Sequence, residues 1–406
     1  MRPLHRWVAL VAGAATVAAA MMTAPASFAA TGSGASVLVA CSAPAWAEGT
    51  AYAAGAQVTY GGRLYQALVA HTPPPGAGWN PVAAPSLWRD LGACDGGTPP
   101  TTPPTTPPTV PPPTTAGLAT APYVDMGAWP TPSLASMVSS GNLKNVTLAF
   151  ITASGCKAMW FNAYDPRAGW ARDQIDAVRA RGGDVKISFG GATGIELAQS
   201  CTSVAALQAE YQAVVSAYGL KYIDLDIEGA ASADPTSVNR RSQALAGLQR
   251  ANPSLRISLT LPVLPEGLTA DGLNVVRSAR DAGVAVDLVN VMAMDYYRAG
   301  DYGDLAVQAA NSTFGQLKSL YPGRTDAQVW KMVGVTPMLG QNDDGHVYDQ
   351  NDARQMVSFA QGKHLGMLSF WELTRDRNAC TGALYMCTNI PQAAYEFSRI
   401  FAGYTG

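Results

Sequence analysis

Aliphatic and acidic residues alternate strictly over the segment 222–228, Tyr-Ile-Asp-Leu-Asp-Ile-Glu. Successive side chains of a β-strand point to opposite faces, so a strand here places Asp224, Asp226 and Glu228 on one face. Removing three carboxylates from water is costly, which makes the pattern typical of a site for acid/base chemistry. The same alternation occurs in a half-buried edge strand whose acids face solvent, and the segment alone leaves both interpretations open.

Beyond residue 118, strand-like and helix-like patterns follow one another in turn. The predicted strands are Pro122–Met126, Val146–Ile151, Asp184–Phe189, Tyr222–Ile227, Arg256–Leu261, Leu288–Met294, Lys331–Val335 and Gly366–Phe370. The predicted helices are Trp170–Arg181, Val204–Tyr218, Ser237–Gln249, Leu268–Asp281, Leu305–Leu320 and Asp352–Gln361. This order predicts an α/β fold, a (β/α)8 TIM barrel. An open doubly wound sheet is the rival, disfavoured because no Gly-x-Gly-x-x-Gly turn follows a predicted strand.

Catalytic groups of such barrels lie at the carboxyl ends of the strands. Glu228 ends the fourth predicted strand, and a Ser-Phe-Gly-Gly segment at 188–191 ends the third. A Met-Ala-Met-Asp-Tyr segment at 292–296 ends the sixth, and Trp371 ends the eighth. These unusual clusters on one rim favour an active site over the edge-strand interpretation.

Residues 41–94 form a short, aromatic-rich segment. A segment of this size buries little core, so we expect its terminal cysteines, Cys41 and Cys94, to close it. Its strand candidates are Gln57–Tyr60 and Arg63–Leu68. The aromatic residues expected mainly in its core are Trp46, Tyr52 and Trp88. Tyr65 and Trp79 are better candidates for stacking on a sugar ring, whose C–H face is apolar.

The N-terminus has the features of a secretory signal peptide, residues 1–29. Arg2 and Arg6 precede the apolar stretch Trp7–Ala20, which is short for a membrane span, and small residues precede candidate cleavage points after Ala26 and Ala29. A retained membrane anchor is the alternative. The segment predicts a secreted, extracellular protein.

A Pro/Thr-rich tract at 95–117 separates the two predicted domains. It cannot bury a core and is expected to form an extended polyproline II spacer. The chain thus divides into a signal peptide (1–29), a small all-β module (41–94), a linker (95–117) and a barrel (118–406).

Charge and cysteine content limit the kinds of partner. The formal net charge is −2, so nothing favours nucleic acid or an anionic membrane as a partner of the mature protein.

Six cysteines in an exported chain favour disulfides. The pairs suggested by their order are Cys41–Cys94, Cys156–Cys201 and Cys380–Cys387. Metal ligation is disfavoured, because there is no Cys-x-x-Cys and the histidines lack ligand spacing. We expect a monomer with no metal or cofactor.

Residues 41–94 resemble the carbohydrate-binding modules of families 5 and 12. The shared pattern is Ala45-Trp46, Tyr52-x-x-Gly55-x-x-Val58, Tyr65-x-Ala67 and Leu87-Trp88. Many members carry a Trp-Trp pair after the Tyr-x-Ala stretch, whereas this chain has Leu-Val-Ala-His at 68–71. The resemblance implies binding to chitin or cellulose, with the exposed aromatic platform missing or moved to Trp79.

The barrel segment resembles glycoside hydrolase family 18, the chitinases and related endo-β-N-acetylglucosaminidases. The matching residues are Asp224-x-Asp226-x-Glu228, Ser188-x-Gly190-Gly191, Met292 with Asp295, and Trp371. The resemblance implies that Glu228 protonates the glycosidic oxygen and that the sugar's own 2-acetamido oxygen attacks C1, with retention of configuration. Asp226 would orient that group, and Asp224 would share a proton with Asp226. We expect neighbouring acids to raise the pKa of Glu228.

The resemblance also assigns roles on the rim. Asp295 and Tyr296 would hold the acetamido group or the strained sugar, with a structural carboxylate as the alternative for Asp295. Trp371 would form an apolar floor or be a core residue. Ser188 and Asn342 are further substrate-binding candidates, although Ser188 can instead shape the barrel interior and Asn342 can be a turn residue. The remaining tryptophans, which are either subsite platforms or packing residues, are Trp160, Trp170 and Trp330.

One departure lies near the chemistry. Where many family members have tyrosine two residues after the methionine, this chain has Met294, so a hydroxyl is lost that Tyr296, or in second place Tyr297, would have to supply. The resemblance predicts a secreted chitinase acting on chitin and chito-oligosaccharides. An endo-β-N-acetylglucosaminidase acting on N-glycans and a non-hydrolytic chitin-binding lectin are the alternatives.

Overall fold

The structure is a computed structural model that describes residues 43–73, 79–84, 87–94, 117–130, 133–377 and 379–406. The predicted signal peptide, Cys41 and nearly all of the predicted linker lie outside these residues. The chain divides into two compact units, residues 1–101 and 102–406. None of the described helices is long and apolar enough to cross a membrane.

The first unit contains an antiparallel sheet with strand order Gln57–Tyr60, Arg63–Ala67 and Trp88–Ala93. Its buried core consists of Tyr52, Val58, Tyr65, Ala67 and Trp88. The prediction that Tyr65 binds ligand is therefore wrong. Arg63–Ala67 is the central strand, so it is covered on its inner face, and Tyr65 is only 5% exposed. Trp79 is 41% exposed and remains a binding candidate.

The second unit is an α/β barrel, whose strands and helices we number within the unit. The parallel strands are β1 (Tyr123–Asp125), β2 (Val146–Ala153), β3 (Val185–Gly190), β4 (Tyr222–Asp226), β5 (Arg256–Leu264), β6 (Val286–Ala293), β7 (Val333–Pro337) and β8 (Met367–Leu368). The principal helices are α1 (Leu134–Ser140), α2 (Arg172–Ala180), α3 (Val204–Tyr218), α4 (Pro235–Ala251), α5 (Ala270–Asp281), α6 (Tyr302–Leu320), α7 (Gln350–Lys363) and α8 (Glu396–Phe401).

Short elements decorate this framework. The additional strands are Ala158–Trp160, Gly267–Leu268, Gly340–Gln341 and Val347–Tyr348. The additional helices are Leu197–Ser200, Ala230–Ala233 and Asp326–Trp330, with 3-10 turns at Pro166–Ala168 and Arg375–Arg377.

The sheet closes between its first and last strands. From β1 to β8 the strands pair in chain order, and the backbone then links β8 back to β1. The amide of Ala121 donates to the carbonyl of Leu368 at 3.1 Å, and that of Tyr123 donates to Phe370 at the same distance. The predicted barrel is confirmed, and closure removes the open edge that an edge-strand interpretation of 222–228 requires.

Local sequence signals fix the helix ends. The Ser203 hydroxyl accepts from the amide of Ala206 at the start of α3, and Gly219 ends that helix with φ +57°. Asp234 caps α4, with Pro235 at the first helical position. The predicted α3 has the same bounds as the observed one. The short helices α1 and α8 were not predicted.

Two of the predicted disulfides are present. Cys156–Cys201 joins the loop after β2 to the end of the helix Leu197–Ser200, with an S–S distance of 2.04 Å. Cys380–Cys387 closes a short loop after β8. Cys94 is disulfide-bonded, and its predicted partner Cys41 lies outside the described residues.

Candidate active site

Asp224 lies inside the barrel and is held by hydroxyl groups from three strands. The register places it opposite Ser188 on β3 and Ser258 on β5. Its Oδ2 accepts from the Ser188 hydroxyl at 2.7 Å and from Tyr123 at 2.9 Å. Its Oδ1 accepts from Thr260 at 2.8 Å and also from Ser258. Four donors match the acceptor capacity of a carboxylate, so these contacts fix its position and orientation.

Asp226 and Glu228 share a hydrogen bond between their carboxyl groups. Burial raises the pKa of Asp226 well above its usual range, and the charges of Glu228 and Asp224 raise it further. Burial also raises the pKa of Glu228, and the charge of Asp295 adds to this. The hydrogen bond with Asp226 lowers the pKa of Glu228. The sequence predicted that neighbouring acids raise this pKa, whereas burial is the largest cause of the rise.

This bond places a proton on the Asp226–Glu228 pair. A hydrogen bond between two carboxyl groups requires a proton on one of them, and the pair titrates as a unit. The sharing of a proton between Asp224 and Asp226 stays a prediction. Asp224 acts on Asp226 through its charge.

One oxygen of this pair is available for another donor. Oδ1 of Asp226 is buried and has no hydrogen-bond partner among the described residues. A buried acceptor without a donor is costly, and such atoms in native proteins call for an explanation. An amide N–H of a bound substrate would satisfy it.

Two glycines at the end of β3 let the backbone approach Asp226. A Cβ at Gly190, where φ is +108°, would lie 2.0 Å from the carbonyl oxygen of Asp226. A Cβ at Gly191 would lie 2.7 Å from the ring of Phe150. The amide of Gly191 donates to the same Asp226 carbonyl at 3.1 Å. The pair thus fixes the end of β4 and packs against the aromatic residues beside it.

An aromatic cluster flanks the carboxylates. Trp371 stacks on Phe150, with ring centroids 5.6 Å apart and planes 18° apart. Tyr123, which donates to Asp224, lies 5.8 Å from Trp371. Trp371 is only half-buried. It is therefore held by core contacts and still offers surface beside the acids, which combines the two alternatives drawn from sequence.

Asp295 is held by the loop after β7. Its Oδ1 accepts from the amide of Asp343 at 2.8 Å, and its own amide donates to Oδ1 of Asn342 at 3.2 Å. The Asn342 side chain is fully buried and donates to the carbonyls of Met338 and Gly340 at 3.1 Å each. The substrate-binding prediction for Asn342 is therefore wrong, because the side chain is fully buried and both of its N–H groups and its oxygen are engaged in joining two loops. Burial raises the pKa of Asp295, as does the charge of Asp343.

Tyr296 packs away from solvent beside Asp295. Its ring lies 5.3 Å from Tyr302, and burial raises the pKa of its hydroxyl. That hydroxyl has no partner among the described residues. Met294 is half-buried. A role for Tyr296 in place of the tyrosine missing at Met294 stays a prediction.

Other sequence-based assignments are corrected by burial. Ser188 is fully buried and its hydroxyl is directed at Asp224, so it orients a carboxylate and does not bind substrate. Trp160 and Trp330 belong to the hydrophobic core and are packing residues. Trp170 is half-buried and stacks on the exposed Tyr164 at 5.0 Å, which leaves both of its roles open.

Several residues that hold Asp224 in place were not predicted from the sequence. Tyr123, Ser258 and Thr260 all donate to Asp224. They occupy inward positions of the predicted first and fifth strands, and Ser258 and Thr260 are the polar members of an alternating pattern. The signal was present, but it could be interpreted only once Asp224 was known to face the same interior.

Residues 45–89 match the model of carbohydrate-binding module family 5/12. The probable bifunctional chitinase/lysozyme of Escherichia coli K12 is 37% identical over 306 residues, which cover 70% of this chain and 34% of the relative. Endochitinase 11 of Metarhizium anisopliae is 37% identical over 279 residues, covering 65% and 53% of the respective chains.

The barrel matches the catalytic domain of a hyperthermophilic chitinase from Pyrococcus furiosus, with 33% identity and a TM-score of 0.66. The match covers 71% of this chain and 95% of the solved one. The chain belongs to the chitinases of glycoside hydrolase family 18. Catalytic-site mutants of the Pyrococcus domain have been solved with chito-oligosaccharides, at 32% identity and a TM-score of 0.66.

Several residues of the site match the sequence motifs of family 18. Asp224, Asp226 and Glu228 form the family's Asp-x-Asp-x-Glu at the end of β4, and Ser188 with the two glycines forms its Ser-x-Gly-Gly. The chain spans about a third and about half of the length of the two curated relatives.

Proposed function

We propose that this protein is a secreted chitinase that hydrolyses β-1,4 linkages between N-acetylglucosamine units. The observation that carries the proposal is the arrangement of Asp226. One of its oxygens shares a proton with Glu228, and the other is buried without a partner among the described residues. This arrangement suits a substrate that brings an amide N–H to that oxygen, which N-acetylglucosamine does through its acetamido group.

Glu228 is the proton donor of the proposed reaction. It is less buried than the two aspartates, and burial raises its pKa, so it can carry a proton near neutral pH. Transfer of that proton to the glycosidic oxygen breaks the bond between C1 and the leaving sugar. After the leaving group departs, Glu228 accepts a proton from the incoming water.

The nucleophile is the acetamido oxygen of the substrate. Asp226 accepts the acetamido N–H, which turns the carbonyl oxygen towards C1, and its negative charge stabilises the positive oxazolinium that forms. Asp224 is held beneath Asp226 by the four hydroxyls that donate to it. Water then opens the oxazolinium at C1, and the configuration at C1 is retained.

The N-terminal module supports a polymeric substrate. Residues 45–89 match a carbohydrate-binding family, and Trp79 presents an exposed aromatic face. Holding the catalytic unit near an insoluble polymer raises its local concentration. Export through the predicted signal peptide, residues 1–29, would bring the protein to extracellular chitin.

The proposal is tested by incubating the protein with colloidal chitin and measuring soluble N-acetylglucosamine oligomers. We expect release by the unmodified protein and none by Glu228→Gln, which keeps the side chain's shape but removes the proton donor, with chitin binding unchanged. The control is Asp326→Asn, an exposed carboxylate at the start of a helix preceding β7, on the opposite side of the barrel from the site.

Full activity of Glu228→Gln would disprove the assigned mechanism. Release of glycans from a glycoprotein, without release of oligomers from chitin, would replace the substrate with N-glycans. Binding to chitin without hydrolysis would make the protein a lectin.

A further inference from the structure

A lysine is buried inside the barrel beneath the carboxylates. Lys186 lies on β3 two residues before Ser188, so both side chains point inwards, and it is 4% exposed. Its Nζ donates to the hydroxyl of Ser258 at 3.1 Å and lies 3.4 Å from the sulfur of Met367. Burying an ammonium is costly unless a negative charge compensates it. No step of the proposed reaction involves this lysine.

Ser258 links the lysine to the site. Its oxygen accepts from Lys186 and its O–H donates to Oδ1 of Asp224. The serine hydroxyl therefore has a cation on one side and a carboxylate on the other. This orientation polarises the hydroxyl towards Asp224 and strengthens the bond that it donates.

The other charges around Lys186 come from two further strands. Arg256 on β5 pairs with Asp287 on β6, and these two act on Lys186 in opposite directions. Burial lowers the pKa of Lys186, while the charges of Asp224 and Asp287 oppose that effect. Because Arg256 and Asp287 offset each other, Asp224 is the carboxylate left to balance the lysine.

This arrangement holds Asp224 in a fixed position. Its oxygens accept from four hydroxyls, and the Lys186 ammonium acts on it through one of them, Ser258. The charge of Asp224 raises the pKa of Asp226, two residues along the strand. A group that holds Asp224 in place therefore also affects how tightly Asp226 binds its proton.

We propose that Lys186 is a positioning residue that holds Asp224 beneath Asp226 through Ser258, and so supports the acid/base role of the Asp226–Glu228 pair. The part of the test that reads hydrolysis rests on the proposed function. A second readout is independent of activity, so failure of one proposal can be distinguished from failure of the other.

The first experiment measures kcat/KM against pH with a soluble chito-oligosaccharide for Lys186→Met. Loss of the positive charge raises the affinity of all three carboxyls for protons, so we expect both limbs of the profile to move to higher pH, by about one unit. Ser258→Ala, which keeps the lysine but cuts the relay, should move the acidic limb in the same direction. Met367→Leu, which contacts the lysine from the other side without changing charge, should leave both limbs in place.

The second experiment follows Asp226 by NMR, in protein labelled with carbon-13 at the aspartate carboxyl and assigned with Asp226→Asn. We expect its titration to lie at higher pH in Lys186→Met and in Ser258→Ala than in the wild type, because the positive charge or the hydroxyl that links it to Asp224 is lost.

An Asp226 signal that titrates identically in the wild type and in folded Lys186→Met would overturn the proposal. So would folded Lys186→Met with an unmoved profile, since a lysine that only fills space changes stability and leaves the limbs in place. Should Lys186→Met fail to fold, the titration and the profile of Ser258→Ala decide, and no change in either overturns the proposal. An inactive wild type whose Asp226 titration still moves in Lys186→Met would count against the proposed function alone.

Discussion

At the scale of single residues, three carboxyls of one strand end have different roles because their surroundings differ. Asp224 is enclosed by hydroxyl donors, and Asp226 faces Asp224 on one side and Glu228 on the other. Glu228 is the member nearest to solvent. Burial raises the pKa of both Asp226 and Glu228, and more strongly that of Asp226, so a proton is held next to the residue that the substrate meets first.

Glu372 is another buried carboxyl, with a structural role. Its oxygens accept from the amides of Asp125, Thr374 and Arg375 at 3.3, 2.9 and 3.0 Å, which ties the loop after β8 to β1. Burial raises its pKa to about 7, against the effect of these amide bonds. The folded protein therefore holds this proton more tightly than the unfolded chain does.

This shift predicts how stability depends on pH. The contribution of Glu372 is fully present below about pH 4.5, the usual pKa of a glutamate, and is lost as pH rises through about 7. The loss is on the order of 3 kcal/mol. We expect Glu372→Gln to be less stable at pH 5, since its amide leaves one backbone donor unpaired, and to lose less stability between pH 5 and 7.5.

Thermal unfolding measured at several pH values checks this, with Asp326→Asn as the control for removing an exposed carboxylate. If Glu372→Gln lost as much stability between pH 5 and 7.5 as the wild type does, groups other than Glu372 would cause the pH dependence. Asp352 and Asp376, whose pKa values burial raises to about 6, account for the slope expected to remain.

At the scale of elements, the sequence predicted the strands well because each one has a strong local signal. Parity placed Asp224, Asp226 and Glu228 on one face, and the order of strands and helices gave the barrel and its rim. The prediction was weakest where elements are short. Helix α1 has seven residues and α8 has six, which is too few for a helical period to be distinguished from chance.

Loops were predicted less well, for a physical reason. Whether Asn342 meets solvent or another loop depends on how the segment after β7 folds over Asp295, and no local pattern encodes that contact. Tyr65 was misassigned similarly, since an aromatic residue of a small sheet is buried or exposed according to its partner strands. Both errors concern contacts between segments far apart in sequence.

At the scale of the whole molecule, the chain combines a binding module with a barrel. After the Tyr-x-Ala stretch, where many related modules carry a tryptophan pair, this chain has Leu-Val-Ala-His at 68–71, and Leu68 and Val69 are exposed. Aliphatic side chains lack the flat face that stacks on a sugar ring. Trp79, on a separate segment, is the exposed aromatic residue that can replace that surface.

Trp79→Ala should therefore weaken binding to insoluble chitin, by about threefold to tenfold, the range expected for one aromatic contact. Hydrolysis of soluble oligomers should not change, because that substrate needs no anchoring. Sedimentation of the protein with chitin measures the first effect. Val82→Ala, which removes an exposed aliphatic side chain of the same module, is the control, and equal binding by both variants and the wild type would contradict the assignment.

The central claim is that the substrate's acetamido oxygen, oriented by Asp226, is the nucleophile. It is tested most directly with soluble aryl chitobiosides whose acetamido group at the cleaved bond carries zero, one, two or three fluorines. Fluorine withdraws electron density from the carbonyl oxygen, so the account predicts that kcat/KM falls with each fluorine added. A rate that is independent of fluorine content would contradict it, because a nucleophile supplied by the protein does not depend on the electron density of that oxygen.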